Sequence, residues 1–231
     1  MTETAKKSRR VRPPRAPSFH TKNQLKMAAR QLFARQGVDG VTVQQIVSAA
    51  GVRNNAALHY HFGSKEDLIR ELVIDGAAVL NARRQQMLRD LKARGGPTTI
   101  REVLEVLVVP VIELEDNEQW RGYIRFTSNL QATNRDVLLA ALNNKWNAGY
   151  IACFDYLKQM IRIPPALIEQ RLSIFSISAN AILSAREAAL ESRQSKGSRL
   201  WDRSFTLENI LDIFEAMLTC DPSAATLGTV R

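Results

Sequence analysis

Residues 42–68 read TVQQIVSAAGVRNNAALHYHFGSKEDL, and this stretch decides how the rest of the chain is interpreted. Thr42 and the Gln three residues later form a capping box, in which the Thr hydroxyl accepts a backbone N–H and the Gln side chain reaches back. A second short helix follows, with Leu58 and Phe62 as its inward residues. The Ala-Gly-Val turn between the two helices is too short for antiparallel packing. Residues 42–62 are therefore predicted to form a helix-turn-helix, whose second helix is presented to a DNA major groove.

Polar side chains crowd the predicted second helix and its first turn. They are Arg53, Asn54, Asn55, His59, Tyr60 and His61. Asn pairs bidentately with adenine and Arg with guanine, whereas Tyr and His donate to phosphate. Lys65 lies in the first turn of the next helix, where it adds positive charge to free backbone N–H groups that favour anions, so we expect it at a phosphate.

Three more residues complete the predicted DNA contacts. Thr42 lies at the start of the first helix, and Gln44 lies on its outer side, where a solvated polar face is an equal alternative. Ala56 is small enough for close backbone approach to the groove, although helix propensity also explains it. Of Asn54 and Asn55, one is expected to cap the helix rather than to read a base.

The pair His59 and His61 has the pattern H-x-H, which raises the alternative of a metal site. Residues two apart on a helix point about 200° away from each other and cannot share one ion. No Cys or carboxylate cluster is nearby in the sequence. We therefore predict neither a metal nor another cofactor, and assign both histidines to DNA.

A helix of sequence LKMAARQLFARQG precedes this stretch at residues 25–37, with apolar residues at helical spacing and a glycine at its C-cap. The elements L-F-A-x-x-G, T-V-x-x-I, A-A-G-V and Y-H-F-x-S-K-E-x-L follow in one order. Together they resemble the N-terminal DNA-binding domain of the TetR family of bacterial transcriptional regulators. The resemblance implies about nine helices, a homodimer, operator binding through the third helix and a divergent C-terminal domain that binds a small-molecule inducer.

The sequence departs from the commonest family pattern in one place. Between Val52 and Leu58 it has five residues where many members have four. The triplet Arg-Asn-Asn at residues 53–55 occupies the position of a Ser followed by a basic residue. The sequence therefore fixes the first residue of the recognition helix only to within one position.

Positive charge is concentrated at the N-terminal end of the 231-residue chain. Its net charge is +9, and residues 1–70 carry 13 Lys and Arg against 4 Asp and Glu, whereas residues 71–231 carry 19 of each. This asymmetry favours docking on nucleic acid or an acidic membrane surface, with a basic tail on an ordinary enzyme as the alternative. Residues 1–18 hold six basic residues and three prolines. They are interpreted as a flexible arm that follows the DNA backbone or enters a minor groove.

The remaining sequence predicts an all-α protein, because helical periodicity continues to the C-terminus without alternating strands. The predicted units are the arm at 1–18, a DNA-binding domain at 19–78 and a ligand-binding and dimerisation domain at 79–231. A long fourth helix from Ser64 to about Arg94 links the last two.

Smaller features refine this outline. A second capping box is predicted at Thr21, one unbroken helix at 136–163, and a polar link at 192–204. Cys153 and Cys220 match no metal or redox spacing, so both are expected in the core of a cytoplasmic protein. No apolar stretch suits a membrane span or a secretion signal, and no membrane partner is expected.

Aromatic residues at helical spacing suggest a ligand pocket in the C-terminal domain. They are Trp120, Tyr123, Phe126, Trp146 and Tyr150. Such residues offer apolar walls with polar indole and phenol groups, although ordinary core packing is the alternative for each one. Weaker polar candidates are Asn129, Asn143 and Asn147.

The last two long helices, at 166–191 and 206–218, are predicted to form the homodimer interface across a two-fold axis. Their apolar residues are Ile168, Leu172, Phe175, Ala179, Ile182, Ala189, Ile210, Ile213, Phe214 and Met217. The alternative is that both helices complete the core of the monomer.

The leading hypothesis is a ligand-responsive regulator that binds a near-palindromic double-stranded DNA operator as a dimer. A repressor is the commoner role in the family, with an activator or a non-specific architectural DNA-binding protein as alternatives. An enzyme is not expected, because the sequence has no Gly-rich phosphate loop, no G-x-S-x-G and no H-E-x-x-H.

Overall fold

The structure is a computed structural model that describes residues 19–54, 56–191 and 196–230, with the side chains of 196–198 left out. These residues contain twelve α-helices, a single 3-10 turn and no strand, so the all-α prediction is confirmed with more helices than the nine expected. The elements are α1 (Phe19–Gln36), α2 (Val43–Ala49), α3 (Ala56–Phe62), α4 (Lys65–Ala93), α5 (Ile100–Glu115), the 3-10 turn (Glu118–Trp120), α6 (Tyr123–Thr133), α7 (Arg135–Leu142), α8 (Ala148–Met160), α9 (Pro165–Glu191), α10 (Lys196–Trp201), α11 (Thr206–Thr219) and α12 (Ala224–Leu227).

The helix-turn-helix forms where the sequence places it. Thr42 Oγ1 accepts from the backbone N–H of Gln45 at 3.2 Å, and Gln45 Oε1 accepts from the N–H of Thr42 at 2.7 Å. Gly51 takes the left-handed backbone that the turn requires, with φ of +66°. The cap predicted at Thr21 is wrong, because α1 already includes Phe19.

Helix α4 links the two ends of the molecule. Ser64 caps it by accepting from the N–H of Asp67 at 3.0 Å, and its 29 residues span about 40 Å. Its N-terminal part packs on α1 and α3, and the rest packs on α5, α7 and α8. The same rigid element therefore belongs to the helix-turn-helix and to the C-terminal bundle.

Three helices arise that the sequence did not predict as separate elements. The helix predicted over 136–163 is broken, because Asn143 and Asn144 have φ of 43° and 53° in the left-handed region, which Asn tolerates better than most residues. The break separates α7 from α8. Helix α10 interrupts the predicted polar link, and α12 follows α11.

The side chain of Tyr123 on α6 lies directly against Gly76 of α4. A Cβ at this position would lie 2.3 Å from Cε2 of Tyr123, a distance that no real contact allows. The Tyr123 hydroxyl donates to the carbonyl of Val73 at 2.9 Å. A glycine on α4 therefore makes room for an aromatic ring of α6.

Only one of the two cysteines is buried as the sequence predicts. Both are free thiols, but Cys153 is buried and Cys220 is exposed, so the prediction of two core thiols is wrong for the second. Burial raises the pKa of the Cys153 thiol to about 12. Among the described helices, none has the length and apolarity needed to cross a membrane.

Helices α9 and α11 divide their apolar residues between two surfaces. Leu172, Phe175 and Phe214, which the sequence assigned to a dimer interface, are buried inside the monomer. Ile213 is 46% exposed, and two residues outside the predicted stripe, Ile174 and Ile177, are 49% and 61% exposed. The core alternative therefore holds for the buried residues, and the exposed apolar face lies on the other side of α9.

Candidate nucleic-acid interface and cavity

One side of helix α3 packs on the core, and the opposite side is exposed to solvent. Leu58 is fully buried and Phe62 nearly so, whereas Ala56 and His59 are exposed and Tyr60 is 70% exposed. Tyrosine is enriched at interfaces, because its ring is apolar while its hydroxyl can hydrogen-bond. The helix therefore offers a free outer face of the kind that enters a groove.

Of the two described polar residues before α3, both exposed, one caps the helix. The Asn54 side-chain oxygen accepts from the N–H of Ala56 at 2.9 Å, so Asn54 closes the first turn. Arg53 is exposed beside it. Asn55 lies outside the described residues, and its base contact stays a prediction.

The two histidines have different surroundings. His59 Nδ1 lies 2.9 Å from the carbonyl oxygen of Gly63, and since a carbonyl only accepts, Nδ1 carries the hydrogen. His61 is half-buried between the rings of Tyr60 and Phe62. The described residues contain no group of three His, Cys, Asp or Glu side chains suited to a metal ion.

Lys65 connects the start of α4 with the segment before α2. Its ammonium group donates to the carbonyl of Val41 at 2.7 Å and is half-buried. One bond uses one of its three donors, so the group keeps donors for a phosphate. The bond brings Lys65 close to Thr42, whose hydroxyl is engaged in the cap, and Gln44 is exposed on α2.

Ion pairs join α1 to α4 behind this surface. Glu71 lies 2.6 Å from Lys22 Nζ and 2.5 Å from Lys26 Nζ, and Asp75 lies 2.6 Å from Lys26 Nζ. Partial burial alone would raise the pKa of Glu71, but hydrogen bonds from the two lysines outweigh it and hold that pKa below its usual value. The pairs fix the angle between α1 and α4, and with it the position of α3.

A cavity of about 210 Å³ lies in the C-terminal bundle, between α4 and the helices packed on it. Its walls are mostly apolar with several polar side chains. The lining residues are Ala77, Leu80, Arg84, Val111, Tyr123, Ile124, Thr127, Gln131, Arg135, Leu138, Leu139, Leu142, Trp146, Asn147, Tyr150, Ser176 and Asn180. The structure thus brings Tyr123, Trp146 and Tyr150 together around one space, and their contact with a ligand stays a prediction.

Trp120 and Phe126 lie outside that lining. Phe126 is fully buried and stacks on Phe33 of α1 with ring centroids 5.7 Å apart. The guanidinium of Arg30 lies 5.5 Å from the centre of the Trp120 ring. These two aromatics pack the 3-10 turn and α6 against α1, which is the core-packing alternative that the sequence left open for each of them.

Four polar side chains of the cavity form two hydrogen-bonded pairs. The hydroxyls of Tyr150 and Ser176 lie 2.8 Å apart, and Asn180 Nδ2 donates to Gln131 Oε1 at 2.6 Å. Two buried atoms of the lining have no hydrogen-bond partner within the described part of the chain, namely Arg84 Nε and Asn147 Oδ1.

Sequence reasoning missed Arg84. The signal was present, because Ala77, Leu80, Leu88 and Leu91 of α4 follow helical spacing and Arg84 lies on the same inward stripe. A charged residue on an apolar stripe marks either a buried ion pair or a polar site. Only the packing of α5 and α8 against α4 decides between them.

A sequence profile adds an independent observation. The profile of bacterial regulatory proteins of the tetR family matches residues 27–72, which span most of α1, all of α2 and α3, and the start of α4. The N-terminal segment of the chain, residues 27–72, therefore belongs to the TetR family of bacterial regulatory proteins.

Solved structures of bacterial regulators are similar over most of the chain. The regulator PfmR from Thermus thermophilus has 17% identity and a TM-score of 0.52, covering 84% of this chain and 96% of its own. A putative tetR family regulator from Shewanella sp. PV-4 has 15% identity and a TM-score of 0.54, covering 84% and 95%. NalD, the secondary repressor of the MexAB-OprM multidrug efflux pump in Pseudomonas aeruginosa, has 19% identity and a TM-score of 0.52, covering 88% and 99%. At these identities the likeness concerns the fold.

Helix α6 contacts both the cavity and α1. Tyr123 and Thr127 line the cavity, whereas Phe126 stacks on α1. Asn129 Nδ2 donates to the carbonyls of Phe33 and Ala34 at 3.3 and 3.2 Å, which caps the end of α1. One helix therefore touches both the cavity and the helix-turn-helix domain.

Proposed function

We propose that the protein is a ligand-responsive transcriptional repressor that binds a near-palindromic operator as a homodimer. The observation that carries the proposal is the exposed face of α3, with Tyr60 70% exposed and Arg53 beside it. That face follows the short connection at residues 50–55, and two buried residues of α3, Leu58 and Phe62, anchor the helix, which suits a helix lying in a major groove. The proposed units are the arm at 1–18, the DNA-binding domain at 19–78 and the effector and dimer domain at 79–231.

The DNA test compares a specific duplex with a scrambled one. Fluorescence anisotropy is measured with a duplex from the region upstream of the coding sequence and with a duplex of the same composition in random order. We expect a preference of roughly 10³-fold or more. Arg53→Ala should reduce the affinity by at least tenfold, whereas Arg89→Ala, the same charge loss far along α4, should not. A preference below tenfold favours the architectural alternative.

The dimer proposal rests on the apolar face that remains outside the monomer core. Ile174 and Ile177 of α9 and Ile213 of α11 are about half exposed or more, and exposed alanines at 181 and 185 continue that side of α9. A contiguous apolar face rimmed by small residues suits an isologous contact with a second copy of the chain.

Sedimentation tests the dimer directly. Ile177→Glu should convert a dimer to a monomer and abolish operator binding, because two reading heads must engage successive grooves together. Val137→Glu on α7, at a similarly exposed apolar residue, serves as the matched control and should leave the dimer intact. A wild-type protein that sediments as a monomer at micromolar concentration contradicts the proposal.

The ligand response is supported by the position of the cavity. Its walls include α4, whose N-terminal end carries Lys65, and α6, which packs on α1. An effector that binds one arrangement of these helices better than another shifts the DNA-binding equilibrium by that difference in affinity. A compound that occupies the cavity should lower the affinity of the protein for the operator. Saturating operator should lower the affinity of the protein for the compound by the same factor.

A further inference from the structure

The cavity contains a buried positive charge without a carboxylate. Arg84 is 9% exposed and lines the cavity. Its Nη2 donates to the carbonyl of Leu107 at 3.0 Å, and its Nε has no partner in the described residues. Buried charges in proteins are usually paired, because removing an ion from water costs several kcal/mol.

The surroundings of Arg84 do not neutralise it. Burial lowers its pKa from the usual value, and the nearest groups that oppose this are Cys153, Tyr150 and Tyr123, which are uncharged at neutral pH. Burial also raises the pKa of both tyrosines. An arginine stays protonated even so. The guanidinium therefore remains a cation with neutral neighbours.

The charge of the whole lining has one sign. Arg84 lies inside the cavity and the exposed Arg135 lies at its edge, and no Asp or Glu is among the described lining residues. The Arg84 guanidinium also sits 5.5 Å from the centre of the Tyr150 ring, which orients it against a wall of the cavity. A low-dielectric space with net positive charge favours an anion.

We propose that the effector is an amphipathic organic acid whose carboxylate pairs with the Arg84 guanidinium. This proposal rests on the proposed function, because it takes the cavity as the effector site. The apolar body of the acid would lie against Leu80, Leu138 and Trp146. Asn147, whose side-chain oxygen is buried and unpaired, would accept a hydrogen bond from a hydroxyl or amide on the ligand.

The test uses acids of increasing size, each compared with its own primary amide. Benzoate, 1-naphthaleneacetate and decanoate are titrated into the full chain by calorimetry, beside benzamide, 1-naphthaleneacetamide and decanamide. Acid and amide share a shape, so a difference in affinity reports the charge. We expect at least one acid to bind tenfold or more tightly than its amide.

Two substitutions of Arg84, with one control at Arg135, test whether Arg84 causes that preference. Arg84→Met keeps the length of the side chain without charge and should bring the acid to the affinity of its amide. Arg84→Lys should retain part of the preference. Arg135→Met, which removes the other positive charge of the lining, should change it by less than threefold. Far-ultraviolet circular dichroism and the melting temperature verify folding of each variant.

The outcomes separate this proposal from the proposed function. If no acid is preferred over its amide, or if Arg84→Met preserves the preference, the organic-acid proposal is overturned, while operator preference in the absence of any compound still supports a DNA-binding regulator. If acids bind through Arg84 but leave operator affinity unchanged, the acid site stands and the ligand response proposed above is wrong.

Discussion

Two buried arginines, Arg30 and Arg84, show how the same side chain serves two regions differently. Arg30 is 4% exposed, and it donates to the carbonyls of Gln119 and Arg121 and lies over the Trp120 ring. Arg84 is buried almost as deeply, but one hydrogen bond to Leu107 is its only one among the described residues. The first joins α1 to the 3-10 turn, and the second faces a cavity.

The difference separates a structural charge from a binding charge. Burial lowers the pKa of both guanidinium groups, so burial alone does not distinguish them. The two arginines differ in whether backbone carbonyls accept hydrogen bonds from the guanidinium. Where several carbonyls do so, as at Arg30, removal of the arginine leaves those carbonyls unpaired. Where the guanidinium is mostly unpaired, as at Arg84, removal takes away an unpaired buried charge and should change the free energy of unfolding little.

The largest effect is expected for Arg30→Met. The substitution removes two part-buried hydrogen bonds from the charged guanidinium to the carbonyls of Gln119 and Arg121, and a hydrogen bond to a charged group contributes about 1.5–3 kcal/mol. We expect the free energy of unfolding to fall by about 3 kcal/mol in urea titrations. Gln31→Met, at the next position of α1, is the control. A loss below about 1 kcal/mol for Arg30→Met would remove the basis of the comparison.

Gly76→Ala tests the packing that lies between the two regions. The new Cβ would meet the ring of Tyr123, which lines the cavity on one side and contacts the Trp120 ring on the other. Overpacking of this kind costs about 2 kcal/mol. Thermal unfolding measures the loss, and Ala78→Gly on the same helix shows the part due to helix propensity. If Gly76→Ala is no worse than that control, α4 and α6 are not packed as described.

The ion pairs around Glu71 provide a charged contact at the surface for comparison. Because the pKa of Glu71 is lowered in the folded protein, its stabilisation is present above the unfolded pKa and is lost as the pH falls through the folded value. Both charged groups are partly exposed, so we expect about 1 kcal/mol or less. Glu71→Gln should therefore lower stability at pH 7 but not at pH 2, as measured by urea titration at both pH values. An equal loss at both would assign the effect to packing.

The smallest effect on stability is expected for Arg84→Met. It removes one hydrogen bond, worth about 1 kcal/mol, but also removes a buried unpaired charge, and such replacements are often neutral or stabilising. Urea titration of the ligand-free protein should show no loss beyond about 1 kcal/mol. A loss as large as that of Arg30→Met would mean that Arg84 is a structural residue and would contradict the contrast.

The sequence predicted the parts of the molecule that local chemistry decides. The capping box at Thr42, the glycine of the turn and the inward anchors of α3 depend on residues within a few positions of one another, and these features agree with the structure. The break at Asn143 was missed because asparagine tolerates but does not require a left-handed backbone.

The cavity could be predicted only in part. Tyr123, Trp146 and Tyr150 were named from helical spacing, which indicates a shared face but not what the face contacts. Phe126 has the same spacing, yet it packs on α1, since the other face of α6 meets another domain. Arg84 needed the structure, because its meaning depends on the absence of a carboxylate among the described side chains that reach the cavity from other helices.

The contact of α1 with Arg121 and α6 has a consequence for synthesis on the ribosome. The partners that cover Arg30 and Phe33 follow about 90 residues later in the chain. At about 5–20 residues per second, α1 emerges roughly 5–20 s before the segment that covers its inner side, and the end of α4 emerges roughly 1–7 s before it. During that interval the nascent DNA-binding helices expose Phe33 and an unpaired arginine, and they complete their fold only after the 3-10 turn and α6 have left the exit tunnel.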